Sequence, residues 1–422
     1  MIRAAGVIEG EHIWAQLYAR ASEAVEEIVL EAPPILAGFT ACVDVVIAFD
    51  DALLARLQAD STEGGPAREL VDELARAVVR GGGELRLDWP EGPAWLGQRL
   101  AGTRALGGTG AQVAQSLAVL GAQALLCLGK RSSELADLLD PNVLLASDSG
   151  AVAAAHMATS GNASLPHYVF EFARGATVDG RRVTKSDRLI TLYEPEELED
   201  DPQFDHLSSE IAALRGAAVI SGFNELLPER RRAGLARCAA LVETWRRRGL
   251  RVAHVELARY PDNAAIDEVC SALAPACNSV GMNDAEFRTL TGTNVSAERA
   301  AMFAEHYGFT RICIHGDRWA YSLTRDDPDV ELGALLVGSL LAASRAHLGR
   351  PASRGELLLQ LAPVAPVAGS PGSRARLDGW TEVICPTPHI RHPVATVGLG
   401  DTFTAGALLA LGTHARLSIA HT

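Results

Sequence analysis

Apolar residues recur along the chain in two patterns that alternate with each other. From residue 9 to residue 31 they stand three or four positions apart with acids between them, a spacing that predicts an amphipathic helix. Short strand-like segments such as 217–222 and 251–257 have the length of buried strands, and the helical segment 228–248 separates these two. Repeated alternation of strand and helix is typical of a mainly parallel sheet covered on both faces. We therefore predict an α/β protein with a layered α/β/α core.

A second group of strands has a different pattern. The segments 167–172 and 188–193 alternate in β fashion, and a polar excursion joins them. The run 35–47 is also strand-like, and its single acid, Asp44, stands among apolar neighbours. We expect the two alternating strands to form a flap. We expect residues 362–376, which are rich in Pro, Ala, Gly and Ser, to form a long loop.

The segment 396–406 combines two glycines, an acid and a run of small residues. Gly398 and Gly400 would let the backbone approach a phosphate closely, and a helix beginning near Asp401 would direct its free N–H groups and positive dipole end to the same point. An acid at the mouth of an anion site is suited to taking a proton from a hydroxyl group as a phosphoryl group arrives. The alternative is a simple Asp N-cap after a glycine turn. The other acids of the chain favour the catalytic interpretation.

Polar residues also follow predicted strands at three other places, namely Asp44, the triplet 254–256 and the group 283–286. Ligands of open α/β sheets bind beyond the carboxyl ends of the strands, so polar residues at these ends are candidate site residues. Phosphoryl transfer requires a divalent ion that bridges phosphate oxygens, and magnesium keeps waters that nearby carboxylates can orient. We therefore expect these acids to lie near a phosphate and a magnesium ion.

The spacing within these groups supports that expectation. His254 and Glu256 share one side of a strand because side chains alternate with a period of two, and Asn283 and Glu286 are expected to share one helical face. Glu256 and Glu286 are the candidate magnesium residues. Taken singly, His254 is more typical of a buried core histidine and Glu286 of an acid on a helix surface.

Length, charge and cysteine content restrict the class of protein. A chain of 422 residues exceeds the usual single core, so we expect two or more lobes. The net charge of −14 and the lack of a long basic stripe argue against nucleic acid or an anionic membrane as the main partner. The seven cysteines are spread singly without a CxxC pair, which is typical of reduced thiols. With no signal-peptide pattern and no run of about 18 apolar residues, we expect a cytoplasmic protein.

The motifs, taken together and in order, resemble those of the ADP-dependent sugar kinases of the ribokinase-like superfamily, the archaeal-type glucokinases and 6-phosphofructokinases. The resemblance extends from residue 38 to the end of the chain. The matching stretches are the glycine pair 107–108, the strand 167–172, the HxE triplet 254–256, the NxxE group 283–286 and the GxGD turn 398–401. The chain departs from the family at Asp284, where a Glu is common, and at Thr109, where an amide residue is common.

The resemblance implies a ribokinase-like layered α/β/α core with a mainly parallel sheet and a smaller β-rich lid domain. The implied large, nucleotide-binding domain comprises residues 1–37, 107–165 and 194–422, and the implied lid comprises residues 38–50, 82–106 and 166–193. Closure of such a lid over the sugar would exclude water, which an active kinase must do because it otherwise hydrolyses its donor.

The resemblance also assigns a role to each candidate residue. Asp401 would be the catalytic base in the turn formed with Gly398 and Gly400, and Glu256 and Glu286 would serve Mg²⁺. The implied sugar-binding residues are Asp44, Gly108, Thr109, Glu84, Glu171 and Arg174, and the implied nucleotide-binding residues are Arg188, Asn283, His315 and Val397.

The predicted reaction is transfer of the β-phosphoryl group of ADP to a sugar hydroxyl. A 6-phosphate is held by Arg or Lys, and Arg174 stands where phosphofructokinases of the family carry a basic residue. We therefore expect fructose 6-phosphate, with glucose as a further acceptor. Two alternatives remain open, an ATP-dependent kinase of the wider superfamily and a non-catalytic sensor of sugar or nucleotide. The sequence leaves the oligomeric state undetermined.

Overall fold

The computed structural model describes residues 3–7, 11–160, 164–184, 186–224, 226–260, 262–360, 373–388, 390, 392–394 and 396–417. The strands in this part of the chain are β1 Arg3–Val7, β2 Ile35–Gly38, β3 Cys42–Ala48, β4 Gly83–Arg86, β5 Thr103–Gly107, β6 Ala124–Leu126, β7 Leu144–Ser147, β8 Gly150–Ala153, β9 His167–Phe172, β10 Thr177–Val178, β11 Arg181–Arg182, β12 Asp187–Leu192, β13 Ala217–Ile220, β14 Val252–Glu256, β15 Ser279–Asn283, β16 Arg311–His315, β17 Trp319–Thr324, β18 Ser373–Leu377 and β19 Trp380–Pro386.

The helices alternate with these strands as the apolar pattern predicts. They are α1 Glu11–Glu31, α2 Asp51–Asp60, α3 Pro66–Arg80, α4 Gly92–Gly97, α5 Thr109–Leu120, α6 Ser133–Leu138, α7 Pro202–Ile211, α8 Pro228–Arg248, α9 Asn263–Leu273, α10 Asp284–Thr291, α11 Ala297–Tyr307, α12 Pro328–Leu348, α13 Arg354–Gln360 and α14 Leu399–Thr413, with 3₁₀ turns at Ala154–His156 and Ala212–Leu214. Within the described residues, no helix combines the length and apolar character that a membrane span requires.

Twelve strands form one large sheet in the order β1-β18-β19-β17-β16-β15-β14-β13-β2-β6-β7-β8. Its centre, from β16 to β7, is parallel, and antiparallel strands extend both edges. Alternate residues of β2 show why both faces are covered: Ile35 and Ala37 pack in one apolar core with α5, α12 and α14, whereas Leu36 packs in a second core with α8 and α9. This arrangement is the predicted α/β/α layering.

Five strands form a separate small sheet in the order β4-β12-β9-β3-β5. Its apolar face packs against α2 and α3 in a third core. The predicted flap strands are its members β9 and β12, which pair antiparallel. Each of the three predicted lid segments contributes strands to this sheet. The assignment of a discontinuous lid with those boundaries stays a prediction.

The run 35–47 is two strands rather than one. Strand β2 belongs to the large sheet and β3 to the small sheet, so the chain crosses between them over residues 39–41. Both strands are largely buried, and the sequence therefore lacks the polar break that would mark the crossing. As a consequence, Asp44 lies inside β3 of the small sheet and not at a carboxyl end of the large one.

The predicted loop 362–376 is wrong at its end. Residues 373–376 belong to β18, which pairs with β19 and β1, and this pairing outweighs a composition that favours loops. The remainder of that predicted loop lies outside the described residues. At the glycine turn, α14 begins at Leu399, so Asp401 lies in its first turn and Gly398 is the N-cap.

Candidate active site

Three neighbouring parallel strands end at the same edge of the large sheet. Strand β14 ends at Glu256, β15 at Asn283 and β16 at His315. Because the strands are parallel and adjacent, their final side chains lie close together, as expected for a ligand site in an open α/β sheet.

Glu256 is the centre of a buried hydrogen-bond network. Its Oε2 atom lies 2.8 Å from His254 Nε2 and accepts a hydrogen bond of 3.0 Å from the Thr404 hydroxyl, while Oε1 lies 3.2 Å from His315 Nε2. Burial alone would raise the pKa of Glu256, but the hydrogen bonds with His254 and His315 lower it to about 2. Glu256 is therefore a carboxylate at neutral pH. His254 lies on the same side of β14 as Glu256, as the strand spacing predicts.

Glu286 has a different environment. Its carboxylate accepts a hydrogen bond of 2.8 Å from the Asn283 backbone N–H, and the Asn283 side chain accepts one of 2.9 Å from the Glu286 N–H. These two bonds form a capping box at the start of α10, so Asn283 ends a strand and caps a helix and does not share a helical face with Glu286. The pKa of Glu286 is raised to about 7, mainly by burial and in part by the charge of Glu256, while the hydrogen bond from the Asn283 N–H and the charge of His315 oppose the rise.

A buried arginine packs against the turn that precedes α14. Gly398 has a φ of 72°, and a Cβ atom there would overlap the Arg345 guanidinium, so this position requires glycine. Arg345 donates hydrogen bonds of 2.7 Å to the Gln112 side chain and 3.0 Å to the Thr402 hydroxyl. The positive charge of Arg345 thus lies directly under the glycine turn.

Asp401 occupies the first turn of α14 and is partly accessible. Burial raises its pKa, and a side-chain hydrogen bond with Thr109 and the charge of Arg345 partly offset that rise. Thr109, predicted to contact the sugar, therefore also contacts the predicted base. A carboxylate with a raised pKa, beside free N–H groups of a helix, is suited to accepting a proton.

The small sheet faces Asp401 with a cation and two acids. Burial raises the pKa of Asp44, Glu84 and Asp401. The charge of Arg188 on β12 is among the causes that oppose this rise in each of them, so Arg188 lies within electrostatic range of all three. Since the charge of Asp401 adds to the rise in the pKa of Asp44, the candidate sugar residue and the candidate base also lie within electrostatic range of each other.

Two of the acids in the small sheet accept hydrogen bonds from side chains in loops that belong to the large sheet. Glu171 on β9 accepts a bond of 2.8 Å from the Thr396 hydroxyl, and Glu84 on β4 accepts one of 3.3 Å from the Asn224 amide. Both acids were predicted to bind sugar from the lid strands. The structure places them at the boundary between the two sheets.

The remaining predicted residues differ in position. Gly108 has a φ of 85° and caps α5, and a Cβ atom on it would lie 2.8 Å from the Thr40 carbonyl, so packing against the Thr40 backbone requires glycine there, and its contact with a sugar stays a prediction. Val397 precedes Gly398 and is half-buried. Arg174 follows β9 with an exposed side chain, and its backbone N–H donates to the Ser186 hydroxyl at 2.9 Å. None of the described contacts joins Arg174 to the cluster around Asp401.

Sequence reasoning missed several residues of this site. Arg345 directly follows the stretch 332–344, which contains no charged residue, and this is a usable signal for a buried charge with a partner. Thr404 follows Asp401 by three positions and so lies on the same side of α14. His167 was assigned only to a strand, but its Nε2 atom lies 2.8 Å from Glu196 and its Nδ1 atom 3.8 Å from Asp44.

Comparison with known proteins identifies the family. The family model described as "ADP-specific Phosphofructokinase/Glucokinase conserved region" matches residues 33–410. The chain belongs to this family. The predicted resemblance to ADP-dependent sugar kinases is therefore confirmed.

Individual relatives are distant. The chain is 25% identical over 281 residues to an ADP-dependent glucose/glucosamine kinase of Pyrococcus furiosus, covering 58% of this chain and 60% of that protein. It is 28% identical over 184 residues to an ADP-specific phosphofructokinase of Pyrococcus horikoshii, covering 37% and 41%. The matched regions thus span less than two thirds of these relatives.

The fold matches over a much longer range. The solved structure "ADP-dependent kinase complex with fructose-6-phosphate and ADPbetaS" superimposes with a TM-score of 0.76, at 16% identity, over 95% of this chain and 98% of that one. The predicted ribokinase-like layered α/β/α fold with a mainly parallel sheet is confirmed.

Proposed function

We propose that this protein is an ADP-dependent sugar kinase. The observation that carries the proposal is the position of Asp401 in the first turn of α14, hydrogen-bonded to Thr109 and within electrostatic range of Asp44 and Arg188. This arrangement provides a base, an anion site and a polar pocket for a hydroxyl compound. Family membership supports ADP as the donor.

The proposed reaction uses each of these groups once. The sugar hydroxyl oxygen forms a bond to the β-phosphorus of ADP as the bond from that phosphorus to the bridging oxygen breaks, and AMP leaves. Asp401 takes the hydroxyl proton. The free N–H groups at the start of α14, together with the charge of Arg188, stabilise negative charge on the transferred group.

The acids at the strand ends suit a magnesium ion that keeps much of its water and contacts them through it. Both oxygens of Glu256 already have hydrogen-bond partners, and one oxygen of Glu286 belongs to the capping box. Among the described residues, these two acids do not belong to a cluster of three ligands. We propose that they orient waters of Mg²⁺, which when bound neutralises the donor phosphates.

Fructose 6-phosphate is the proposed acceptor, with glucose second. The P. horikoshii relative is described as a phosphofructokinase, and the superimposed structure contains fructose 6-phosphate. The P. furiosus relative, which matches a longer part of this chain, is described as a glucose/glucosamine kinase, and this keeps glucose as the second candidate. Substrates are thus small molecules. The free cysteines suit a reducing compartment, and we propose the cytoplasm.

A matrix of donors and acceptors tests the proposal. Purified protein is assayed with ADP or ATP, each against fructose 6-phosphate and glucose, at equal free magnesium. Turnover with ADP above that with ATP is the expected result. Preference for ATP would reassign the protein to the ATP-dependent kinases, and binding of sugar and nucleotide without turnover would make it a sensor.

A further inference from the structure

Three metal-ligating side chains of different chemistry meet in the small sheet. The ligand atoms of Cys42, Asp44 and His167 all lie within 4.8 Å of one another. The Cys42 sulfur is 3.7 Å from Asp44 Oδ1, and His167 Nδ1 is 3.8 Å from the same oxygen. Strand geometry brings these side chains close together, because residues 42 and 44 share one side of β3 and Asp44 is in register with His167 on β9.

The two separations that involve Asp44 are close to those of a tetrahedral zinc site. Zn–S and Zn–N or Zn–O bonds of about 2.3 Å and 2.0–2.1 Å at a tetrahedral angle give ligand separations of roughly 3.3–3.5 Å. Contraction by a few tenths of an ångström would bring Asp44 into bonding distance together with both partners. One thiolate, one imidazole and one carboxylate favour zinc or cobalt over magnesium, which binds oxygen ligands.

A fourth residue orients the histidine. Glu196 Oε1 lies 2.8 Å from His167 Nε2, so the other ring nitrogen, Nδ1, is the one directed to Asp44. A carboxylate on the far nitrogen is the usual outer partner of a zinc-bound histidine, and it fixes the tautomer and the ring orientation. Cys42 is also reachable, since it alone of the seven cysteines, all of them in the described part of the chain, is partly exposed.

We propose that Cys42, Asp44 and His167 bind one zinc ion, and that the bound ion prevents a sugar from using Asp44. The site has three protein ligands and leaves the fourth position to water. It is distinct from the Glu256 and Glu286 pair in both location and chemistry. The exclusion of sugar rests on the proposed function, because that function makes Asp44 a sugar ligand, whereas zinc binding does not.

The first experiment measures metal binding without any substrate. Cobalt(II) is titrated into the full-length protein, and a thiolate-to-cobalt charge-transfer band in the near ultraviolet is expected, with zinc displacing it. Cys42→Ser should abolish the band. Glu196→Gln should weaken zinc binding by about 10-fold or more, as for other outer partners of metal-bound histidines.

His206→Gln is the matched control for His167→Gln, because His206 is an exposed histidine that also faces a carboxylate, Glu210. The control should bind zinc like the wild type, and His167→Gln should not. Circular dichroism melting curves establish that each variant is folded. A cobalt complex without the thiolate band, or equal zinc affinity of wild type and a folded Cys42→Ser variant, would overturn the site.

The second experiment tests the exclusion of sugar. Calorimetric titration of zinc is repeated at saturating fructose 6-phosphate and at saturating glucose, and the apparent zinc affinity should fall in the presence of the accepted sugar. In the kinase assay, zinc should raise the KM for sugar in the wild type, and less so in Cys42→Ser. If zinc binds through Cys42 and its affinity is the same with and without each sugar, the exclusion is overturned. Kinase turnover in the same preparation would then show that the proposed function is intact.

Discussion

The hydroxyl of Thr396 donates a hydrogen bond of 2.8 Å to the carboxylate of Glu171. Thr396 stands two residues before Gly398, the N-cap of α14, and Glu171 lies on β9 of the small sheet. The contact therefore joins the glycine turn directly to the sheet that carries Asp44. We expect the position of the glycine turn and that of the small sheet to be coupled through this pair.

Removing that hydroxyl should weaken substrate binding. A hydrogen bond to a charged group contributes about 1.5–3 kcal/mol, and its loss from Thr396→Val should make the closed arrangement less populated. The KM values for sugar and donor are expected to rise by about tenfold, with a smaller change in kcat. Thr413→Val is the matched control, because Thr413 only bonds carbonyls of its own helix, α14. KM values equal to those of the control would contradict the coupling.

Asp401 is expected to be the base. Asp401→Asn keeps the shape and the hydrogen bond with Thr109 but cannot accept the proton, so kcat should fall by at least ~10²-fold. Sugar and nucleotide binding, measured by calorimetry, should be largely kept. Asp51→Asn is a suitable control because it also lies in the first turn of a helix, α2, but is exposed. Turnover within a few-fold of the wild type would refute the assignment.

The sequence predicted this part of the site because its signals are local. The GxGD turn, the HxE triplet and the NxxE group each lie within four residues, and strand or helix geometry alone fixes their relative positions. The parallel strands then bring Glu256, Asn283 and His315 to one edge of the sheet. The helix bounds 228–248 were predictable for the same reason, since one apolar face and a terminal glycine define this helix.

Other features depend on contacts between distant parts of the chain. The bond between Thr396 and Glu171 spans 225 residues, and that between Arg345 and Gln112 spans 233. No periodicity encodes such pairs. The sequence predicts one strand over 35–47, where the structure has two, for a related reason. Both strands are buried, and only their partners, in two different sheets, distinguish them.

Glu286 should make magnesium binding dependent on pH near neutrality. Its burial raises its pKa to about 7, so the folded protein increasingly holds the proton as the pH falls below this value. A protonated carboxyl is a poor partner for metal-bound water, and the half-saturating magnesium concentration should rise by up to about tenfold for each pH unit below the pKa. Glu286→Gln should remove this dependence. A wild-type magnesium requirement that is constant from pH 6 to pH 8 would contradict the role.

Arg345 should position the glycine turn and adjust the basicity of Asp401. Burial raises the pKa of Asp401, and the charge of Arg345 opposes that rise. In Arg345→Met the pKa of Asp401 should therefore increase, and the acid limb of the kcat/KM profile should move to higher pH. Arg345→Lys restores the charge and should move the limb back, although it cannot reproduce both hydrogen bonds. A limb that stays in place in a folded Arg345→Met protein would restrict Arg345 to a structural role.

Arg174 provides the test of the acceptor. It is exposed after β9, and a flexible exposed arginine gains most from a ligand that brings its own negative charge, such as a 6-phosphate. Arg174→Ala should therefore raise the KM for fructose 6-phosphate by about tenfold, the loss of one charge-assisted hydrogen bond, and leave the KM for glucose unchanged.

The matched control for Arg174 is Arg181→Ala, because Arg181 is another exposed arginine beside the small sheet. If this control raises the KM for fructose 6-phosphate equally, the positive charge of this region acts in general and Arg174 does not bind the phosphate specifically. Equal losses for glucose and fructose 6-phosphate in Arg174→Ala would point instead to a disturbed β9, since Glu171 lies three residues earlier. Only a loss that is confined to the phosphorylated sugar, and to Arg174, supports phosphate recognition at this position, because glucose offers the arginine no charge to bind.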